Sequence, residues 1–240
     1  MMSTLESARS ISHSTMVERM AMNGKDHFIA LLRTLEFLPV AAFHTASNTG
    51  LTPFMEAIDF SDYNVVKAML QLAPGLAMKR FIDLEDSRLY TYPVIFTSQI
   101  SVRRETSLAL NIVKDLTLYV PDDCFATDCN GQTALRLSVT RYSISTSEWL
   151  LENGHGHNIY DNNGRTPIHN IRSTTSLDVL LQAGADINSS YKSGLTCAHM
   201  AAMQGLQDLL DGLIHRNAEL SKTGTCTGGI GSPLHCAVLK

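Results

Sequence analysis

Apolar residues along this chain fall in short clusters, separated by polar stretches that contain glycine, and the clusters come in pairs. One kind of cluster is rich in leucine and valine: Val65-Val66-Lys67-Ala68-Met69-Leu70, Glu148-Trp149-Leu150-Leu151, Val179-Leu180-Leu181, and Leu209-Leu210 followed by Leu213-Ile214. Such spacing marks the buried side of a helix. The runs close on Glu152-Asn153-Gly154 and on Gln182-Ala183-Gly184-Ala185-Asp186-Ile187-Asn188, where glycine suits the left-handed position that ends a helix. Each of these helices is preceded by a shorter apolar cluster introduced by glycine and a hydroxyl residue. The pattern therefore predicts units of turn, helix, turn, helix.

The introducing segments repeat. Gly131-Gln132-Thr133-Ala134-Leu135, Gly164-Arg165-Thr166-Pro167-Ile168-His169, Gly194-Leu195-Thr196-Cys197-Ala198-His199 and Gly231-Ser232-Pro233-Leu234-His235 align their hydroxyls at 133, 166, 196 and 232, with spacings of 33, 30 and 36. An upstream copy reads Gly50-Leu51-Thr52-Pro53-Phe54, and the 81 residues from Thr52 to Thr133 hold two periods plus 15. That remainder predicts a degenerate repeat with an insertion. Thr166 or Thr196 can cap a first helix through its hydroxyl, and Pro53, Pro167 and Pro233 suit a first helical turn, where no backbone donor is missed. Ile168, Ala198 and Ala201 then give the first helix small or branched apolar surface toward the second. Two short helices bury little by themselves, so each unit needs a neighbour.

These residues together resemble the ankyrin repeat, and the match is fullest between Asp128 and Leu220. The resemblance implies an all-α solenoid of stacked helix-turn-helix units with short hairpin turns. Residues 1–13 are expected to be a frayed or disordered N-terminus and 14–240 the repeat domain. Within it, 14–45 reads as an atypical N-terminal capping repeat, 46–77 as a repeat, and 78–126 as the degenerate repeat with its insertion. In that degenerate stretch Tyr92-Pro93-Val94-Ile95 stands in for the helix start and Asn111-Ile112-Val113-Lys114 for the second helix. Then 127–159 reads as a repeat, 160–189 as a short one, 190–222 as another and 223–240 as an incomplete one. Leu234 and Val238 are left without a partner helix, so the natural chain is expected to continue past Lys240.

Charge and composition narrow the function. Lys and Arg total 19 against 23 Asp and Glu, a net charge of -4, which supplies no broad cationic surface for a phosphate backbone. The longest apolar run, Phe37 to Phe43, is far short of the roughly 20 residues of a spanning helix, and residues 1–20 lack the apolar core of a signal peptide. Five cysteines, Cys124, Cys129, Cys197, Cys226 and Cys236, make an odd set that argues for free thiols and an intracellular chain, cytoplasmic or nuclear. No membrane insertion and a monomeric state are expected.

Candidate chemistry is sparse. His169, His199 and His235 sit where the resemblance implies a structural histidine near the helix start. His155, His157 and His215 have no Cys or carboxylate pair at a recognised metal spacing, and the cysteine spacings match no zinc site. Gly228-Gly229-Ile230-Gly231 follows no strand pattern and precedes a repeat motif, so it reads as a turn rather than a phosphate loop. No nucleophile and base pattern, phosphate loop or metalloprotease helix occurs, so no enzyme, cofactor or metal is expected. Asn188 lies in the spacing seen where ankyrin asparagines are hydroxylated, though a turn asparagine accounts for it as well.

What remains free in such a stack are the side chains flanking the motif glycine and those closing the first helix. The resemblance implies that these line a concave face that binds a protein partner. Here they are Asn48, Leu51, Asp59, Phe60, Asn130, Gln132, Arg141, Asn163, Arg165, Lys192 and Gln204, of which Phe60, Arg141 and Arg165 are the strongest anchors. The expected function is a protein-interaction scaffold or adaptor. The alternative is the targeting or regulatory ankyrin region of a larger enzyme, such as a ubiquitin ligase or a microbial effector. A zinc-binding domain ranks third.

Overall fold

The computed structural model describes residues 51–59, 63–78, 81–83, 89–91, 93–100, 106–119, 127–141, 143–226 and 229–238. The N-terminal capping repeat expected at 14–45, together with Asn48 and Phe60, lies outside them. The chain divides into two compact units, Met1–Cys124 and Phe125–Lys240.

In the first unit, α1 (Pro53–Asp59) and α2 (Tyr63–Leu72) form a helix pair. Thr52 begins α1 as a hydroxyl cap, its Oγ1 accepting from the Met55 N–H at 3.4 Å. The apolar set Val66, Met69, Leu70 and Ala73 is buried, the i, i+3, i+4, i+7 stripe of an amphipathic helix. A 3-10 helix (Pro74–Met78) follows, then an antiparallel pair, β1 (Phe81–Asp83) with β2 (Leu89–Thr91). Two further helices come next, α3 (Pro93–Ile100) and α4 (Thr106–Leu118). They fall where Tyr92-Pro93-Val94-Ile95 and Asn111-Ile112-Val113-Lys114 stand in the sequence. Ala109, Ile112, Val113 and Leu116 are buried on one side of α4, which packs against both α2 and α3.

In the second unit, α5 (Ala134–Thr140) is followed by α6 (Ile144–Glu152), a 3-10 helix (Pro167–Asn170), α7 (Thr174–Gln182), α8 (Cys197–Gln204) and α9 (Gln207–His215). A two-stranded hairpin, β3 (Gly224–Cys226) with β4 (Gly229–Gly231), leads to α10 (Pro233–Val238). Contacts sort these elements into two layers. In one layer α5 packs on the 3-10 helix, that on α8, and α8 on α10; in the other α6 packs on α7 and α7 on α9. Each helix from α5 to α9 thus meets its own partner and its neighbours in the layer, the nearest-neighbour architecture of a solenoid. Leu150, Leu177, Leu180, Leu209 and Leu213 are buried along the second layer. Ala198, Ala201 and Ala202 are buried on α8, where small side chains permit close approach.

Two expectations are corrected here. The unit beginning at Thr166 does not carry a full first helix: Pro167–Asn170 is a single 3-10 turn, and Ile171 is already extended, with ψ 154°. This unit is the short one, with 30 residues between Thr166 and Thr196, and the shortfall falls on the first helix because Ser173 caps α7 directly, accepting from Ser176 N–H. The second correction concerns the cysteines, since Cys236 is disulfide-bonded rather than a free thiol. An odd count excludes complete pairing but not a bridge, and β4 packs on the helix that carries Cys236. Cys197 is free and buried, its thiol pushed up to about 12 by desolvation, so it is no nucleophile.

Candidate functional site

The turns that precede the first helices share one construction. In each, the residue five before the motif threonine pairs with the residue one before it: Asp128 N–H donates to the Gln132 carbonyl at 3.0 Å, Asp161 to Arg165 at 2.9 Å and Tyr191 to Leu195 at 3.2 Å. Gly131, Gly164 and Gly194 close these turns at φ 74°, 77° and 74°, the left-handed region that glycine enters without steric cost. In the first two turns the aspartate replaces missing backbone partners. Asp128 Oδ1 accepts from Asn130 and Gln132 N–H, both at 2.8 Å; Asp161 Oδ1 accepts from Asn163 at 2.9 Å and Arg165 at 2.8 Å.

Successive turns are then tied to one another. Asn162 donates its N–H to the Asn130 carbonyl at 3.0 Å and its side-chain amide to the Cys129 carbonyl at 2.7 Å. Lys192 Nζ reaches the Asn162 carbonyl at 3.3 Å, and Ser193 carbonyl accepts from Thr225 N–H at 2.8 Å. The aliphatic part of Lys192 lies on Gly164, its Cγ 3.2 Å from where a Cβ would stand. Asn162 is the link that sequence reasoning passed over, since an asparagine in a turn ordinarily signals local bonding.

Behind the turns lies a polar interior that sequence reasoning also missed. Arg136, three residues after Thr133, occupies the place that His169 and His199 hold after Thr166 and Thr196. It is 2% exposed. Its Nη2 pairs with Asp161 Oδ2 at 3.0 Å and donates to Asn170 Oδ1 at 2.8 Å, while Nη1 donates to the Arg165 carbonyl at 2.8 Å. Burial holds the Arg136 guanidinium below its ordinary range, and the Asp161 carboxylate partly offsets this.

The two motif histidines reach the next turn in the same way. Thr166 N–H donates to His169 Nδ1 at 3.2 Å, and His169 Nε2 lies 3.0 Å from the Ser189 carbonyl. For His199 the partners are Thr196 N–H at 3.1 Å and the Gly231 carbonyl at 3.2 Å. A backbone N–H can only donate and a carbonyl only accept, so both rings are fixed as the neutral tautomer with the proton on Nε2. Burial lowers both pKa values, against the raising effect of the carbonyl bonds. Thr133, which faces an arginine, caps α5 conventionally by accepting from Arg136 N–H at 3.2 Å.

Of the residues expected at a partner surface, the turns bring Asn130, Asn163, Arg165 and Lys192 into one connected row. Asn130, Asn163 and Lys192 are exposed, and Gln132 and Arg165 are half-buried. Arg165 stacks on the Tyr191 ring, its guanidinium carbon 4.9 Å from the centroid; Tyr191 in turn stands edge-on to His169 at 5.2 Å. Arg141 is exposed at the C-cap of α5 and Gln204 half-buried at the end of α8. Leu51 and Asp59 flank α1 in the first unit, both half-buried. Asn188 accepts from Glu219 N–H at 2.8 Å through its Oδ1, and its carbonyl accepts from Lys222 Nζ at 2.9 Å, which gives it a turn-bridging role. Among the described residues no group of three or more His, Cys, Asp or Glu side chains converges on a metal position, and no helix is long and apolar enough to cross a membrane.

Comparison with known proteins agrees on the architecture. No protein-family model matches the chain. The mouse neurogenic locus notch homolog protein 1 is 35% identical over 100 residues, 40% of this chain, and the human protein 34% over 100 residues. The matched region spans 4% of the length of these relatives. Among solved structures, the ankyrin repeat domain of Bcl-3, described as a unique member of the IkappaB protein family, superposes with a TM-score of 0.66 at 22% identity, covering 94% of this chain and 92% of that one. The chain therefore has the ankyrin-repeat fold, as the resemblance in its sequence implies.

Proposed function

We propose that this protein is a non-catalytic interaction scaffold that binds a protein partner on the face formed by the turns and first helices of the second unit. The observation that carries this reading is the row of turn side chains. Their backbones are fixed from one turn to the next through Asn162, Arg136 and Lys192, yet Asn130, Asn163 and Lys192 remain exposed. A surface whose backbone is already ordered loses little conformational freedom on binding. The opposite side of the unit offers Glu148, Glu152 and Gln182 on the outer side of α6 and α7, all exposed; there Asp178 of α7 is tied to Arg216 at the end of α9, a link between helix side chains rather than between turn backbones.

The fold supports a protein partner, since ankyrin repeats serve as interaction modules, while fold alone does not choose the partner. An intracellular location and a monomeric state are part of the same proposal.

The test is affinity capture from lysate with three forms of the chain: unchanged, Arg141→Glu with Lys192→Glu, and Glu148→Arg with Glu152→Arg. All four positions are exposed; the first double variant also gives up the Lys192 Nζ bond to the Asn162 carbonyl, so melting is recorded beside capture and only a partner lost from a folded chain counts. Partners lost with the first double variant and kept with the second support the turn face. Retention by the first and loss by the second rejects it.

A further inference from the structure

We propose that Arg165 and Lys192 together recognise an Asp or Glu side-chain carboxylate on an extended segment of the partner. This rests on the turn face being the binding surface, and it adds the chemistry that the face selects.

Charges in the turns are sorted by depth. The turns 128–133, 161–166 and 191–196 contain two carboxylates, Asp128 and Asp161, and two cations, Arg165 and Lys192. Both carboxylates are buried, at 5% and 8% exposure: Asp128 Oδ1 and Asp161 Oδ1 accept from turn N–H groups and Asp161 Oδ2 pairs with Arg136, while Asp128 Oδ2 is shielded from water. Lys192 is exposed and Arg165 partly so. The surface of the turns is therefore cationic on a protein whose net charge is -4.

Arg165 is held ready for an anion. Its N–H donates to Asp161 Oδ1 at 2.8 Å and its carbonyl accepts from Arg136 Nη1 at 2.8 Å, so the backbone on either side of the side chain is fixed. The guanidinium rests on the Tyr191 ring, which restricts its remaining rotors. Among the described residues that guanidinium makes no hydrogen bond and no ion pair, and its Nε is shielded from water without a partner. With Nε out of reach of solvent, the two Nη groups are the donors left to meet a planar carboxylate, and they can do so in two-point geometry. Lys192 adds a second charge to the same turn: its stem covers Gly164, the residue before Arg165, and its Nζ lies at the exposed edge on the Asn162 carbonyl, 3.3 Å away.

Carboxylate is favoured over phosphate by what the neighbouring helix starts do. A phosphate site commonly recruits free N–H groups at a helix N-terminus. Here the Thr166 and Thr196 N–H groups are already given to the Nδ1 atoms of His169 and His199.

The experiment uses the full chain and two fluorescently labelled peptides, one of alternating Glu and Ser and the other of alternating Gln and Ser, with anisotropy as the readout. A protein of net negative charge repels the acidic peptide at long range, so a preference for it reports a local site. The expected result is saturable binding of the Glu peptide about tenfold tighter than the Gln peptide, weakening as salt is raised. Arg165→Gln should remove most of the preference while the melting curve is unchanged, since Gln retains the backbone bonds at position 165; Lys192→Gln should also remove most of it, with a slightly lower melting curve because the Nζ bond to the Asn162 carbonyl goes with the charge. Equal affinity for the two peptides, or a preference that survives Arg165→Gln, overturns the proposal. So does a peptide of alternating phosphoserine and Ala that binds about tenfold tighter than the Glu peptide. Equal binding of both peptides that is abolished by Arg141→Glu with Lys192→Glu would end the carboxylate assignment and leave the turn face standing as the binding surface.

Discussion

Arg136 and the two buried histidines show how one motif position can be filled by different chemistry. All three follow their hydroxyl residue by three positions, and all three reach a carbonyl of the next turn. Arginine brings a permanent charge into that place, which requires Asp161 as partner. Arg136→Ala should therefore cost about 3–5 kcal/mol in urea unfolding, because Asp161 is left charged and buried. The histidines carry a pH signature instead. Their pKa values are lowered in the fold, so the unfolded chain, with its histidine pKa near about 6.5, takes up protons first. Their contribution to stability is complete above that pH and is lost as pH falls through the lowered values. Melting temperature should hold from about pH 8 to 7 and fall below about pH 6.5. Replacing both with Gln should lower it at the upper end and flatten the fall relative to the unchanged chain. An identical slope in both proteins would place the acid sensitivity elsewhere. The hydroxyl positions and the His after them were readable as a motif, but Arg136 was not: an arginine there looks like a mismatch until Asp161, 25 residues on, is seen beside it. Tyr191, which stands where Asp128 and Asp161 stand in their turns, escaped notice for the same reason.

At the scale of elements, turn geometry was more legible than helix length. Glycine before the motif threonine forecasts a left-handed residue, and the turns have one. The space around that residue is not written in the local sequence. A Cβ at Gly131 would come within 2.8 Å of Asn162 Oδ1 and 2.9 Å of Asn162 N, whereas at Gly154, also left-handed at φ 83°, nothing lies within 4 Å. Gly154→Ala should accordingly lose only the left-handed backbone term, about 1–2 kcal/mol. Gly131→Ala should lose that and also loosen the Asn162 bonds between turns, so its midpoint in urea should be the lower of the two. Equal midpoints would mean that the turn-to-turn link contributes nothing. The 3-10 helix at Pro167–Asn170 illustrates the opposite limit of sequence reading. Thr-Pro-x-His announces a helix start, but where the helix stops depends on Ser173 capping α7 so soon afterwards, and that depends on how many residues the short repeat has to spend. The disulfide at Cys236 was hidden for a related reason, because cysteine counting carries no information about which chain segments the fold brings together.

Across the second unit, the two layers of helices make stability a matter of neighbours. Leu180 is fully buried on α7, which packs against α6 on one side and α9 on the other. Leu180→Ala should cost about 2–5 kcal/mol through lost burial and the cavity left behind. Because the second helices support one another in sequence, the loss should also appear as faster amide exchange in α6 and α9, beyond α7 itself. The last described helix, α10, is different. Pro233 and Cys236 are buried, but Leu234 and Val238 are 73% and 79% exposed. Leu234→Gln should shift stability by no more than about 0.5 kcal/mol, the range of an ordinary surface change, and α10 should exchange fastest of the helices in this unit. If Leu180→Ala instead left exchange in α6 and α9 untouched while lowering protection in α7 alone, the helices would be opening one at a time. The rigid row of turns on which partner recognition is argued would then lack its support, because each turn is held in register by the layer of helices behind it.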